Sequence, residues 1–173
     1  ALTRRWDADA HLIVYRVDAD KAGDEWTFAR VAKRAPFVPE LLSKGGRITV
    51  PYLVFDYDLP KTPEGHKQNW APEVLDAFLA QVATAPELEP TYFYTTLHGA
   101  RLLYVLTEPV DHLAAEGLIR GIIRDWKAKG VCLDDACTDW TRLFRLPAVL
   151  RAGKRTEEEP TFMYLAGERE QLA

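Results

Sequence analysis

The chain has 173 residues, 47% of them hydrophobic and 28% charged, with a net charge of −4. This is the composition of an ordinary soluble globular protein, long enough for one domain with a substantial core. It excludes a strongly basic, nucleic-acid-coating protein but leaves room for a local basic patch, and no apolar run approaches the roughly 18 residues of a membrane span.

Along the chain, strands and helices alternate, with no repeat and no low-complexity linker. Residues 11–17 (HLIVYRV) and 25–31 (EWTFARV) alternate and carry β-branched or aromatic residues, which predicts two strands joined by a turn. Residues 34–46 hold two prolines and end in paired glycines, so they read as a connector with at most one helical turn. Residues 47–58 (RITVPYLVFDYD) form a long strand whose Pro51 signals a bulge or an unpaired edge. In residues 72–83, Pro72 suits a first helical position, and Val74, Leu75, Phe78, Leu79 and Val82 make an apolar stripe. Residues 91–106 read as two strands around a turn at Gly99. Residues 111–130 give the clearest helix: Asp111 caps it, Leu118, Ile119, Ile122, Ile123 and Trp126 face the core, and Gly130 ends it. A short strand at 131–133 runs into Asp134 and Asp135, residues 138–146 form one or two helical turns, and residues 161–165 supply a last strand. The fold class is α+β, helices packed on a sheet.

The start of the chain lacks the apolar core of a secretory signal and an initiator methionine, so it reads as a processed or excised piece. Cys132 and Cys137 are too few for a disulfide framework and are not spaced as a zinc knuckle, which predicts reduced core thiols and a cytoplasmic setting. Trp126 and Trp140 read as core residues, and the GGR at 45–47 has neither the lysine nor the following helix of a phosphate loop.

The chemistry starts at VFDYDLP, residues 54–60. On a strand Asp56 and Asp58 project from one face while Tyr57 points away. Two carboxylates this close repel unless a cation sits between them, so removing one should leave metal-free stability level or raise it. Mg²⁺ favours all-oxygen sites of this kind. Further on, His98 and Gly99 form a polar turn ahead of a strand bearing Arg101. Asp134 ends a short strand, and Arg142, Arg145, Arg151 and Lys154 follow. Acids that hold ions beside cations that clamp phosphate suit a metal-bound triphosphate.

This order resembles the archaeo-eukaryotic primase superfamily, the primase-polymerases of replication, plasmids, phages and mobile elements. Its hydrophobic-Asp-x-Asp motif matches Phe55, Asp56 and Asp58. Its hydrophobic-Asp strand end, followed by an Arg-Leu-rich run, matches Leu133, Asp134 and RLFRLP. The turn-and-strand motif between them matches TLHGARLLY in part: His98 precedes the glycine, and the strand position falls on Arg101, so either can meet the phosphate. Asp135 and Asp139 are alternatives to Asp134, although the motif favours Asp134, and Asp139 suits capping of the short helix with Thr138.

The resemblance implies an α+β fold with a mixed sheet bearing the catalytic acids, flanked by helices. It also implies one catalytic domain over 1–173, with a small N-terminal α/β unit in about 1–50 and the catalytic sheet in 51–166. It implies a DNA primase or polymerase that transfers nucleotides from nucleoside triphosphates to a single-stranded or primed DNA template. Two Mg²⁺ or Mn²⁺ ions would be held by Asp56, Asp58 and Asp134, with Arg101, His98, Arg145, Arg151 and Lys154 on the phosphates. Arg142 shares a helical face with Arg145 but fits the pattern less well. Any helicase or replication partner would be a separate chain. A two-metal nuclease, a catalytically idle binding module and a plain nucleotide- or metal-binding domain are the rival readings of the same residues.

Overall fold

The computed structural model describes residues 11–17, 42–43, 45–146, 149–151, 154–155 and 163–165, with backbone alone from Leu150 onward. The strand expected at 25–31 lies outside the described residues. The elements are β1 (His11–Leu12), β2 (Arg16–Val17), β3 (Ile48–Asp58), α1 (Pro72–Ala83), β4 (Tyr92–Thr96), β5 (Gly99–Asp111) and α2 (His112–Ala128). Four short strands follow: β6 (Phe144–Arg145), β7 (Leu150–Arg151), β8 (Lys154–Arg155) and β9 (Met163–Leu165). The main sheet has the order β2-β3-β5-β4-β9, with β1-β6 and β7-β8 as separate pairs. The expected α+β class holds, but every ladder among the described residues is antiparallel, where a mixed sheet was expected. Of the expected N-terminal unit, Arg16–Val17 pairs with β3 of the main sheet.

β3 and β5 hold the fold together. Their ladder places Asp56 opposite Arg101, Tyr57 opposite Ala100 and Asp58 opposite Gly99. Because strand side chains alternate, Leu53, Phe55, Tyr57, Ala100, Leu102 and Tyr104 share one face and Val54, Asp56 and Arg101 the other. Pro51, which has no N–H to give a ladder, marks an irregularity as its type predicts. Between the pairs Val50–Val110 and Tyr52–Val105, it faces the whole of residues 106–109 on β5.

Both helices reach the first face. On α1, Phe78 stacks on Tyr57 at 4.8 Å between ring centroids and meets Phe93 edge-on at 5.6 Å. Pro72 opens this helix without a side-chain cap, as its fixed φ allows. On α2, Asp111 caps the start by accepting from Leu113 N–H at 2.9 Å. Trp126, fully buried, donates its indole N–H to Tyr104 Oη at 2.7 Å, and Tyr104 donates to the Leu88 carbonyl at 2.7 Å. Gly130 closes α2 at φ +84°, a left-handed conformation that suits glycine, and a Cβ there would lie 2.7 Å from Gln81 Nε2. Ala115, Ile119 and Ile123 point inward with Trp126, whereas Leu118 is exposed, contrary to expectation. It lies one position off the inward stripe, which runs at 115, 119, 123 and 126. Trp140 is buried as expected, but of the two free cysteines only Cys137 is a core thiol, Cys132 being exposed. No helix of the described residues is long and apolar enough to cross a membrane.

The face bearing Asp56 lies opposite the one on which Phe78 and Trp126 pack. Part of it is covered by the chain's early segment, where Tyr52 Oη donates to the Ile13 carbonyl, and by β6, whose Arg145 carbonyl accepts from Arg101.

Candidate functional site

Asp56 and Arg101 are directly opposed on neighbouring strands, and Arg101 Nε donates to Asp56 Oδ1 at 2.8 Å. The pair is largely buried, with 13% of the arginine side chain and 20% of the aspartate exposed. Arg101 Nη1 also reaches Tyr94 Oη at 3.4 Å and the Arg145 carbonyl. Burial works against the charge, but Tyr94 and the Asp56 carboxylate together outweigh it, so the guanidinium is held charged above its ordinary range.

Backbone hydrogen bonds bring Asp134 to this pair from far along the chain. Leu133 bridges to Tyr57, and Asp134 N–H donates to the Asp56 carbonyl at 2.8 Å. The expected strand at 131–133 is therefore a single bridge. Asp134 then caps a short 3₁₀ turn, Asp135–Thr138, its Oδ1 accepting from Ala136 N–H at 2.9 Å. From inside that turn, Cys137 Sγ accepts from Asp56 N–H at 3.2 Å. The helix that Asp139 was expected to cap with Thr138 does not form, so that cap is absent. Asp139 instead accepts from Thr141 N–H at 3.0 Å, while its carbonyl accepts from Arg142 N–H at 2.9 Å. This local turn displaces the helix expected over 138–146, because the aspartate side chain offers the backbone a competing partner.

That turn delivers Arg142 to the acids. Nη2 lies 2.9 Å from Asp56 Oδ2 and Nη1 2.7 Å from Asp134 Oδ2, so one planar fork joins two carboxylates distant in sequence. Its guanidinium carbon lies 5.5 Å from the centroid of the Phe144 ring. Partial burial would raise the Asp134 pKa, but Arg142 and the Ala136 N–H outweigh it and hold the carboxyl below its ordinary value. Burial likewise opposes the Arg142 charge, and Asp134 and Asp56 overcome it, raising that pKa.

Beside this cluster, a cleft of about 190 Å³ is lined by Asp56, Asp58, Lys67, His98 and Arg101, among others. Its wall is pinned at three points. Leu59 N–H donates to the His98 carbonyl at 2.8 Å, Trp70 Nε1 to the Gly99 carbonyl at 2.7 Å, and His98 Nδ1 lies 2.9 Å from the Gln68 carbonyl. The turn itself is Leu97–His98, and Gly99 already belongs to β5.

The structure therefore brings Asp56 to Asp134 and sets Asp58, His98 and Arg101 around the adjoining cleft. Arg101 is committed to Asp56 and its neighbours rather than standing open to a ligand. Arg145 contributes its carbonyl to Arg101, and the side chains of Arg151 and Lys154 lie outside the described residues. Sequence reasoning set Arg142 aside and passed over Cys137, Tyr94 and Lys67. The Asp-x-Thr-Arg run at 139–142 was the available signal for a turn that aims an arginine backward.

One carboxylate oxygen each of Asp56 and Asp134 and the Cys137 sulfur lie within 4.8 Å of one another, a group that could hold a metal ion. Asp58 is not in that group. Burial pushes the Cys137 thiol up to about 12, which keeps it protonated at neutral pH in the metal-free protein. Comparison of the chain with protein-family models, curated proteins and solved structures finds no match.

Proposed function

We propose that the chain is a nucleotidyltransferase of the primase-polymerase kind, adding nucleotides from nucleoside triphosphates to a DNA template strand. What carries the reading is the convergence of Asp56 and Asp134 through one arginine fork, beside a cleft lined by Asp58 and by cations. The acid motifs of the sequence lie in the order expected of that family. Asp56 and Asp134 would hold a divalent ion, with Asp58 supplying a further carboxylate at the cleft. Mg²⁺ or Mn²⁺, two ions in the full mechanism, would lower the pKa of the attacking 3′-hydroxyl and neutralise charge on the leaving pyrophosphate.

The residues of the chain do the positioning. Arg101, tied to Tyr94 and the Arg145 carbonyl, fixes Asp56 in one rotamer and orientation. Lys67 and His98 stand on the cleft wall where phosphate oxygens would enter, and Arg142 contacts Asp56, which lines the same cleft. Holding the triphosphate at several points aligns the α-phosphorus with the incoming hydroxyl.

A second reading is favoured by one observation. Both oxygens of Asp56 are already held by arginines, as in a structural ion-pair network of a nucleic-acid- or nucleotide-binding module. The test is incorporation of labelled nucleotides on a single-stranded template, with and without primer, in Mg²⁺ and in Mn²⁺. Incorporation that is lost in Asp58→Asn and in Asp134→Asn supports the transferase. DNA binding without incorporation, unchanged by either substitution, supports the binding module.

A further inference from the structure

The transferase reading needs Asp56 and Asp134 open to a divalent cation, yet Arg142 holds both. Its two terminal nitrogens contact Asp56 Oδ2 and Asp134 Oδ2 at 2.9 and 2.7 Å, and an ion shared by these carboxylates would take one oxygen of each. Since Mg²⁺ sits only about 2.0–2.1 Å from its oxygens, the fork and the ion compete for one gap.

Charge sharpens the competition. Asp56 and Asp134 bring two negative charges, and Arg101 and Arg142 two positive ones, so the cluster is balanced as it stands. A divalent ion added alone leaves uncompensated positive charge in half-buried surroundings, which repels it. An incoming polyphosphate changes both sides of the balance. It brings negative charge for the ion, and it offers the guanidinium other oxygens in the same bidentate geometry.

The two arginines differ in their freedom to move. Arg101 is 13% exposed and has Tyr94 and the Arg145 carbonyl as further partners. Arg142 is 30% exposed, and the other contacts of its guanidinium are a long approach of 3.8 Å to Cys137 Sγ and the Phe144 ring. Arg142 is the one built to leave.

Resting on the transferase reading, we propose that Arg142 is a resident counter-cation that closes the Asp56–Asp134 pair to divalent ions until a polyphosphate arrives. It then transfers to the phosphate. Arg142 is thus a positioning residue that couples ion entry to nucleotide entry.

The test measures Mn²⁺ binding to the whole chain by electron paramagnetic resonance of the free ion, without nucleotide, in wild type and in Arg142→Met. Methionine keeps an apolar stem over Phe144 and removes the charge. The variant should bind Mn²⁺ about tenfold more tightly, within the range of 5–150-fold common for site coupling. In wild type, the Arg142 side-chain ¹⁵Nε–H signal gives a readout that needs no variant to fold. It should stay in place with Mg²⁺ alone and move when a β,γ-methylene nucleoside triphosphate is added. Equal or weaker Mn²⁺ binding by Arg142→Met, or a signal that moves fully with Mg²⁺ alone, overturns the proposal. If wild type still incorporates nucleotides, the transferase reading survives that result. If neither protein binds Mn²⁺ and neither incorporates nucleotide, both readings fall.

Discussion

Asp56→Ala should destabilise the metal-free protein, although simple repulsion between Asp56 and Asp58 argues the reverse. Asp56 is not an uncompensated acid: it accepts from Arg101 at 2.8 Å and from Arg142 at 2.9 Å. Breaking a fully buried pair costs about 3–5 kcal/mol because a charge is left behind. Arg101 is largely buried but retains Tyr94 and the Arg145 carbonyl, which brings its share down to about 2 kcal/mol. Arg142 is more exposed and retains Asp134, so its share is about 1 kcal/mol, near the value for a surface pair. A total of about 3 kcal/mol corresponds to a fall of about 6–12 °C in Tm for a chain of this size. Asp58→Ala, on an exposed side chain, should stay within about 0.5 kcal/mol of wild type. Urea and thermal unfolding in the presence of a chelator measure both. A Tm for Asp56→Ala within about 2 °C of wild type would refute the reasoning and show that the arginines do not hold Asp56 in solution.

Three other outcomes can be checked with the same equipment. Gly99→Ala places a Cβ 1.9 Å from the Tyr57 carbonyl oxygen, so β5 must back away from β3 at the cleft. A loss of about 1–3 kcal/mol is expected by urea unfolding, typical of overpacking. Burial raises the Tyr104 pKa above its ordinary 10.0, so the folded state demands the neutral phenol. Its contribution is complete below pH 10 and is lost as pH climbs from there toward the raised value. Tyr104→Phe should therefore decline less than wild type between pH 8 and pH 11 in urea titrations, while starting lower because Trp126 loses its acceptor. Asp111→Ala removes the α2 cap and should cost about 1 kcal/mol, with faster amide exchange in the first turn.

What could be read from sequence was local. The period of two in residues 52–58 put Asp56 and Asp58 on one face, and the caps and apolar stripes gave α1 and α2. Each of those signals is carried by neighbours a few residues apart. Arg142 could not be placed that way. Its position depends on Leu133 bridging to Tyr57, on Asp134 N–H finding the Asp56 carbonyl, and on Asp139 turning the chain back. A helical reading of 138–146 was reasonable by propensity, and a side-chain hydrogen bond at Asp139 overrode it. Leu118 shows the same limit on a smaller scale, since an apolar residue at the edge of a stripe is placed by what the neighbouring strands leave uncovered.

The mismatch at Pro51 divides β5 into two independently registered lengths. Residues 100–105 take their alignment from the Leu97–His98 turn, while Val110 and Asp111 take theirs from the strand's far end, next to the start of α2. The surplus residues between, Thr107 to Pro109, are exposed. Length can therefore be added or trimmed there without any side chain changing faces at Asp56 or Arg101. It is the natural place to graft a reporter or an affinity tag into the sheet, and the place where related chains can differ in length while keeping the acids aligned.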